Sequence, residues 1–96
     1  MRKHKDYYVV AYDIALAKPR RKVAAVLEKY GHRVNKSVFE CMVTPAEAYK
    51  MKKEISGLVD TKTDSVAFYQ ICLDCFSKIE YYPSYTHHAS IVKVVA

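Results

Sequence analysis

The sequence predicts an α+β fold, a ferredoxin-like β-α-β-β-α-β core with an extra C-terminal strand, carried by one domain over residues 1–96. Three observations predict it. Apolar stretches with strand character alternate with two segments of helical spacing. The chain has 96 residues with only two glycines, too short and too poor in linkers for a second domain. And its 51% hydrophobic content, with nine Tyr and three Phe, is enough to pack a core between helices and a sheet.

Residues 1–6, MRKHKD, read as a basic tail. Strand one is expected over Tyr7–Asp13. Tyr7, Val9, Ala11 and Asp13 lie on one face and Tyr8, Val10 and Tyr12 on the other, followed by Ile14. Both faces are largely apolar, as in a strand covered on both sides. In the ferredoxin-like plan the helices cover only one face, so a second copy of the chain is the simplest cover for the other.

Helix one follows, with Pro19 in its first turn and Val23, Val26, Leu27 and Tyr30 as an apolar stripe. Gly31 stands where a left-handed C-cap belongs. Lys18, Arg20, Arg21 and Lys22 crowd the opening of this helix. Cations there oppose the helix dipole at about a few tenths of a kcal/mol each. Such a cluster collects positive charge at the end of strand one.

Strand two is expected over Arg33–Val43, as a single element. Thr44, Pro45 and Glu47 form a capping box that starts helix two, whose stripe is Ala48, Met51, Ile55 and Leu58. Strand three covers Asp64–Ile71. CLDC makes a short turn, Lys78–Tyr82 a fourth strand ended by Pro83, and Ala89–Val95 a fifth, within a C-terminal extension or swapped strand over 84–96.

Sixteen Lys and Arg against ten Asp and Glu give a net charge of +6. On so short a chain this favours a polyanionic partner, usually nucleic acid. No apolar run reaches the length of a membrane span, and no cleavage site follows the basic N-terminus, so the expectation is cytoplasmic and not membrane-bound. Three cysteines argue against a secreted disulfide framework. No glycine-rich phosphate loop or serine nucleophile motif is visible.

Asp13 is the chief chemical candidate. A carboxylate ending a buried strand is costly unless it is paired, hydrogen-bonded or metal-bound. A salt bridge to Arg20 or Arg21 is the structural alternative. One carboxylate makes a poor magnesium site, since magnesium takes one or two carboxylates with waters and substrate phosphate. Two chains meeting near strand one would supply two copies of Asp13 and a shared ion. Cys72 and Cys75 form a lone C-x-x-C; His87 and His88 are adjacent and point to opposite faces of a strand, which disfavours zinc. A thioredoxin-like role requires the pair between a strand and a helix, and here the strand-like SKIEYY follows.

The stretches YVVAYDI, LEKYGHRVNKSVFE, TPAEAYKMKKEI and DSVAFYQI, with the basic helix start between the first two, closely resemble the small CRISPR-associated endoribonuclease and spacer-integration subunit. The resemblance covers about residues 7–82. It implies homodimers whose sheets pack face to face, with the C-terminal strand often pairing onto the partner. It places the family's metal-binding, catalytic Asp on Asp13. Its basic helix-one residues fall on Arg20 and Lys22, its strand-two arginine on Arg33, its serine on Ser37 and its phenylalanine on Phe39. It implies Mg²⁺, or another divalent ion such as Mn²⁺, shared across the dimer. The implied partners are the chain itself, CRISPR integrase dimers, a spacer-precursor DNA duplex and, in some members, single-stranded RNA.

This chain departs from the pattern in two places. ALAK follows Asp13 where many relatives carry further acids, and Lys22 stands where relatives often have arginine, keeping the charge but losing bidentate phosphate geometry. Two readings follow. In one, paired Asp13 carboxylates and a metal ion support phosphodiester cleavage, as an adaptation nuclease or a toxin-like ribonuclease of the same fold, with Arg20 and Arg33 neutralising charge and Phe39 beside the substrate. In the other, Arg20, Arg21, Lys22 and Lys36, doubled by symmetry, track a duplex backbone without chemistry. Phe39 is equally readable as core. Small-molecule regulatory domains share the plan, but the high charge speaks against that class.

Overall fold

The structure is a computed structural model, and it describes residues 4–82. Elements run β1 (Asp6–Asp13), α1 (Ala17–Glu28), β2 (Gly31–Asn35), β3 (Val38–Val43), α2 (Pro45–Ser56), β4 (Ser65–Ile71) and α3 (Leu73–Phe76). The four strands form one antiparallel sheet in the order β2-β3-β1-β4. This is the ferredoxin-like arrangement, with β1 and β3 central and β2 and β4 at the edges.

The alternation along β1 is resolved by register. Tyr8, Val10 and Tyr12 face α1 and α2, paired with Cys41, Phe39 and, on β4, Phe68 and Val66. Val23, Ala24, Val26 and Leu27 of α1 and Ala48, Met51 and Ile55 of α2 close this core. Burying each large aliphatic or aromatic side chain contributes about 1.5–3 kcal/mol, so this layer dominates stability.

α2 starts as its sequence dictates. The Glu47 amide donates to Thr44 Oγ1 at 3.2 Å, and the Thr44 amide donates to Glu47 Oε1 at 2.8 Å. α1 has neither a capping side chain nor an acid in its first turn. It holds through its buried stripe, and its cationic opening is left in solvent.

Three expectations are corrected. Strand two is not one element: Lys36 and Ser37 turn the chain, so Arg33–Val43 becomes the β2–β3 hairpin, with a register irregularity between Arg33 and Asn35. The turn residues keep an apparent period-2 alternation, which made one long strand look continuous. Gly31 is not a left-handed cap. α1 ends on Lys29 in right-handed geometry, and Gly31 lies inside β2 opposite Cys41. A Cβ there would stand 2.0 Å from the Glu40 carbonyl oxygen and 2.8 Å from Cys41 Cα. Close approach of two strands therefore requires glycine, not a positive φ.

Lys78–Tyr82 is not a fourth strand. α3 follows β4 at once, and the chain then crosses the sheet face away from α1 and α2 without strand pairing. The C-terminal strand expected over Ala89–Val95, and with it the extension over 84–96, lies outside the described residues.

The second apolar face of β1 is partly covered from within the chain. Phe76 packs against Tyr7 with ring centroids 4.1 Å apart and the rings tilted by 41°, and Ile79 joins Val9, Met42 and Ile71 around them. Glu40, 3% exposed, faces this side, where Tyr81 donates a hydrogen bond to its carboxylate. Burial, and then the Glu40 charge and hydrogen bond, push the Tyr7 hydroxyl far above its ordinary range. Toward Asp13 the same face changes character. Ala11, Val38 and Ala67 are only half-buried, and Tyr69 is 57% exposed.

Candidate nucleic-acid interface

Asp13 ends β1 opposite Ser65 and is exposed to solvent. The backbone around it carries several anchored groups. The Tyr12 amide donates to the Ser37 carbonyl at 3.0 Å, extending the β1–β3 pairing into the turn. Tyr12 Oη donates to the Lys36 carbonyl at 3.2 Å, and Arg33 Nη1 donates to the same oxygen at 2.6 Å. Beyond Asp13, Arg20 Nη1 donates to the Ile14 carbonyl at 3.1 Å. Thus the Arg20 and Arg33 side chains, and the backbone of Lys36 and Ser37, are tied in around the end of β1. Arg20 is exposed, but its place three and four residues before buried Val23 and Ala24 lets its guanidinium turn back to the Ile14 carbonyl. Arg21 and Lys22 face outward on the next positions and are exposed.

Phe39 is corrected as a candidate contact. It is fully buried, with its ring 6.3 Å from Tyr12 and the Arg33 guanidinium 5.0 Å above it. No face is left for a base or sugar. Its part is to carry Arg33, since the two are direct cross-strand partners and a cation over an aromatic face is held in place. Ser37 is half-buried and contributes its carbonyl to β1.

The sequence reading missed Asp64. Its Oδ1 accepts from the Ala15 amide at 3.1 Å and from Thr63 Oγ1 at 3.1 Å, and its Oδ2 from the Asp60 amide at 2.9 Å. These bonds fasten the β1–α1 loop, just after Asp13, to the loop before β4. Hydrogen bonds from the Asp60 amide and then the Ala15 amide hold its carboxyl below the usual Asp value. The signal was present in TKTD, an Asp closing a polar turn before a strand, a residue type that bonds nearby amides.

Among the described residues no three His, Cys, Asp or Glu side chains gather closely enough to hold a metal ion. Within one chain the end of β1 offers the single carboxylate of Asp13, since Asp64 is committed to the loop. The donor set of one subunit therefore does not fit a complete divalent-ion site. What it does provide is a rigidly mounted group of cations with outward-facing neighbours, suited to phosphate oxygens. Among the described residues no helix is long and apolar enough to cross a membrane.

The model of the family "CRISPR associated protein Cas2" matches residues 6–79. A protein of Rhodospirillum rubrum named CRISPR-associated endoribonuclease Cas2 4 is 43% identical over 68 residues, covering 71% of this chain and 55% of its own length. One from Chloroflexus aurantiacus, CRISPR-associated endoribonuclease Cas2 1, is 35% identical over 75 residues, covering 77% of this chain and 81% of its own. Among solved structures, Streptococcus pyogenes Cas2 at pH 6.5 superposes with a TM-score of 0.72 at 38% identity, over 78% of this chain and 96% of that one. A chain of a partial Cas6-RT-Cas1–Cas2 complex superposes with a TM-score of 0.68 at 27% identity, over 81% of this chain and 85% of that one.

Proposed function

Starting from a chain that belongs to the CRISPR-associated Cas2 family, we propose that it acts in CRISPR adaptation as a homodimer that binds duplex DNA and scaffolds spacer integration with the CRISPR integrase. One observation carries this reading. Arg20 and Arg33 are fixed by bonds to backbone carbonyls around the end of β1, the second of them to Lys36 itself, with Arg21 and Lys22 displayed beside them. Among the described residues these cations sit at the end of β1 and the opening of α1, an arrangement that suits backbone tracking without sequence choice. The likeness to a Cas2 chain within a complex that also contains Cas1 supports an integrase partner.

The sheet supports a position for the second copy. The half-buried strip of Ala11, Val38 and Ala67 beside exposed Tyr69 is the part of the open face that α3 leaves uncovered. Pairing two such strips would bring two Asp13 residues to one axis and join the cation groups into one track.

Nuclease activity is a second reading, favoured by the exposure of Asp13 amid these cations and by the names of the relatives. Asp13 from two copies would hold a magnesium or manganese ion, which when bound supplies an activated water and charge neutralisation for phosphodiester cleavage. The chain's own part is to orient phosphate through Arg20 and Arg33.

Asp13→Ala tests both readings on a single preparation, assayed with magnesium and with EDTA. The scaffold reading expects duplex binding and spacer integration to persist. The cleavage reading expects magnesium-dependent cleavage in the native chain and none in the variant. Equal cleavage by the two proteins ends the catalytic assignment. Loss of duplex binding in Arg20→Ala/Arg33→Ala is expected; unchanged binding ends the scaffold assignment.

A further inference from the structure

By composition a strand follows the C-x-x-C of Cys72 and Cys75, which argues against a redox role; the structure removes that objection. Ile71 is the last residue of β4, Cys72 is the N-cap of α3, and Cys75 lies in its only turn. The pair therefore stands at a strand-to-helix junction. The Cys75 amide donates to Cys72 Sγ at 3.4 Å. That bond lays Cys72 Sγ against the backbone of Cys75, within reach of the Cys75 side chain. Both cysteines are free and exposed, whereas Cys41 is free and fully buried.

We propose that Cys72 and Cys75 form a reversible intramolecular disulfide, a dithiol site that exchanges with small-molecule disulfides of the glutathione class. Cys72 is the extended N-cap and Cys75 lies in the turn that follows, and the 3.4 Å contact from the Cys75 amide to Cys72 Sγ folds the first side chain back over the second residue. The Cys72 thiolate attacks one sulfur of oxidised glutathione, and one glutathione leaves as thiolate. Cys75 gives up its proton and attacks the Cys72 sulfur of the mixed disulfide, and the second glutathione leaves. The protein loses two protons and two electrons, and one glutathione disulfide becomes two thiols. Cys72 is the attacking atom because it is the one that accepts: the Cys75 amide first, and then the Cys75 thiol, lower its pKa from the ordinary value. Bonding to Cys72 first, then the Cys72 charge, raises that of Cys75. Cys41 serves as an internal control, since burial and then the Glu40 charge push its thiol up to about 12. Exposed short-loop disulfides of this kind are the labile ones. Phe76, next to Cys75, is the residue packed against Tyr7, so the pair sits beside the cover on the open sheet face.

The test uses the full chain, reduced, freed of reductant without oxygen, and equilibrated in glutathione buffers of graded oxidation. Samples are quenched in acid, alkylated in denaturant and mapped by mass spectrometry. In oxidising buffer the expected product is lighter by two hydrogens, with Cys72 and Cys75 linked and only Cys41 alkylated. Reducing buffer should restore all three thiols. Cys75→Ser should trap glutathione on Cys72, while in Cys72→Ser the adduct should form at least about tenfold more slowly. The proposal is overturned by a native chain that keeps three thiols throughout. It is equally overturned by one that accumulates a mixed disulfide on Cys72 without ring closure, or whose Cys75 reacts as fast as Cys72.

Discussion

Replacing Gly31 by alanine should damage the β2–β3 hairpin, whereas a methyl at Gly57 would meet only ordinary contacts at 3.6 and 3.9 Å. The new Cβ at position 31 would lie 2.0 Å from the Glu40 carbonyl oxygen, and 2.8 Å from both Cys41 Cα and Cys41 Sγ. Two of these three atoms are backbone in the central strand β3, so no side-chain rotation relieves the clash. Overpacking costs about 1–3 kcal/mol, and a clash against backbone belongs at the upper end. In a domain of this size about 3 kcal/mol lowers Tm by about 12–24 °C. Thermal melts followed by circular dichroism measure that fall. The sheet can also respond by releasing the edge strand β2, which amide hydrogen exchange over residues 31–35 would reveal. Release of β2 takes Arg33 away from Phe39 and from the Lys36 carbonyl, so duplex binding should weaken in parallel. A variant with a Tm within about 4 °C of the parent and unchanged exchange in β2 would refute the close-approach account of Gly31.

Phe39→Ala should cost about 3–5 kcal/mol in urea denaturation, because the side chain is fully buried. Phe39→Leu should keep most of the stability but loosen Arg33 and weaken duplex binding. Identical binding by Phe39→Leu and the parent would remove Phe39 as the support of that arginine. Asp64→Asn should flatten the acid limb of the stability–pH curve. The carboxyl of Asp64 is held below its ordinary value in the folded chain, so its contribution is present above the unfolded pKa and is lost as pH falls through the folded one. Urea midpoints between pH 6 and pH 2, roughly the range spanning ordinary carboxylate titration, check this; a variant with the parent's acid slope contradicts it.

Much of the fold was legible because its signals are local. The capping box at Thr44 and Glu47 and the helical stripes of Val23, Val26, Leu27 and of Ala48, Met51, Ile55 carry over directly into α2 and α1. The hairpin turn is hidden because Asn35, Lys36 and Ser37 lack a glycine and continue an apparent alternation. The need for Gly31 is hidden with it, since β3 reaches that position only by way of this turn. SKIEYY looks like a strand by composition, yet tertiary packing of Phe76 and Ile79 on Tyr7 decides its path. Within the candidate site, residue identities were readable and their mounting was not. That Arg33 rests on Phe39 and shares the Lys36 carbonyl with Tyr12 follows only from strand register.

The account turns on cations from two copies forming one track, and the salt dependence of duplex binding measures this most directly. Each copy brings Arg20, Arg21, Lys22, Arg33 and Lys36. At about −0.9 per neutralised phosphate, the plot of log affinity against log salt should approach a slope of about −9 when both copies engage, against about −4.5 for one copy alone. Arg33→Ala should make it shallower by about 2, since each copy then neutralises one phosphate fewer. A slope no steeper than about −4.5, or one that Arg33→Ala leaves unchanged, would contradict the shared track.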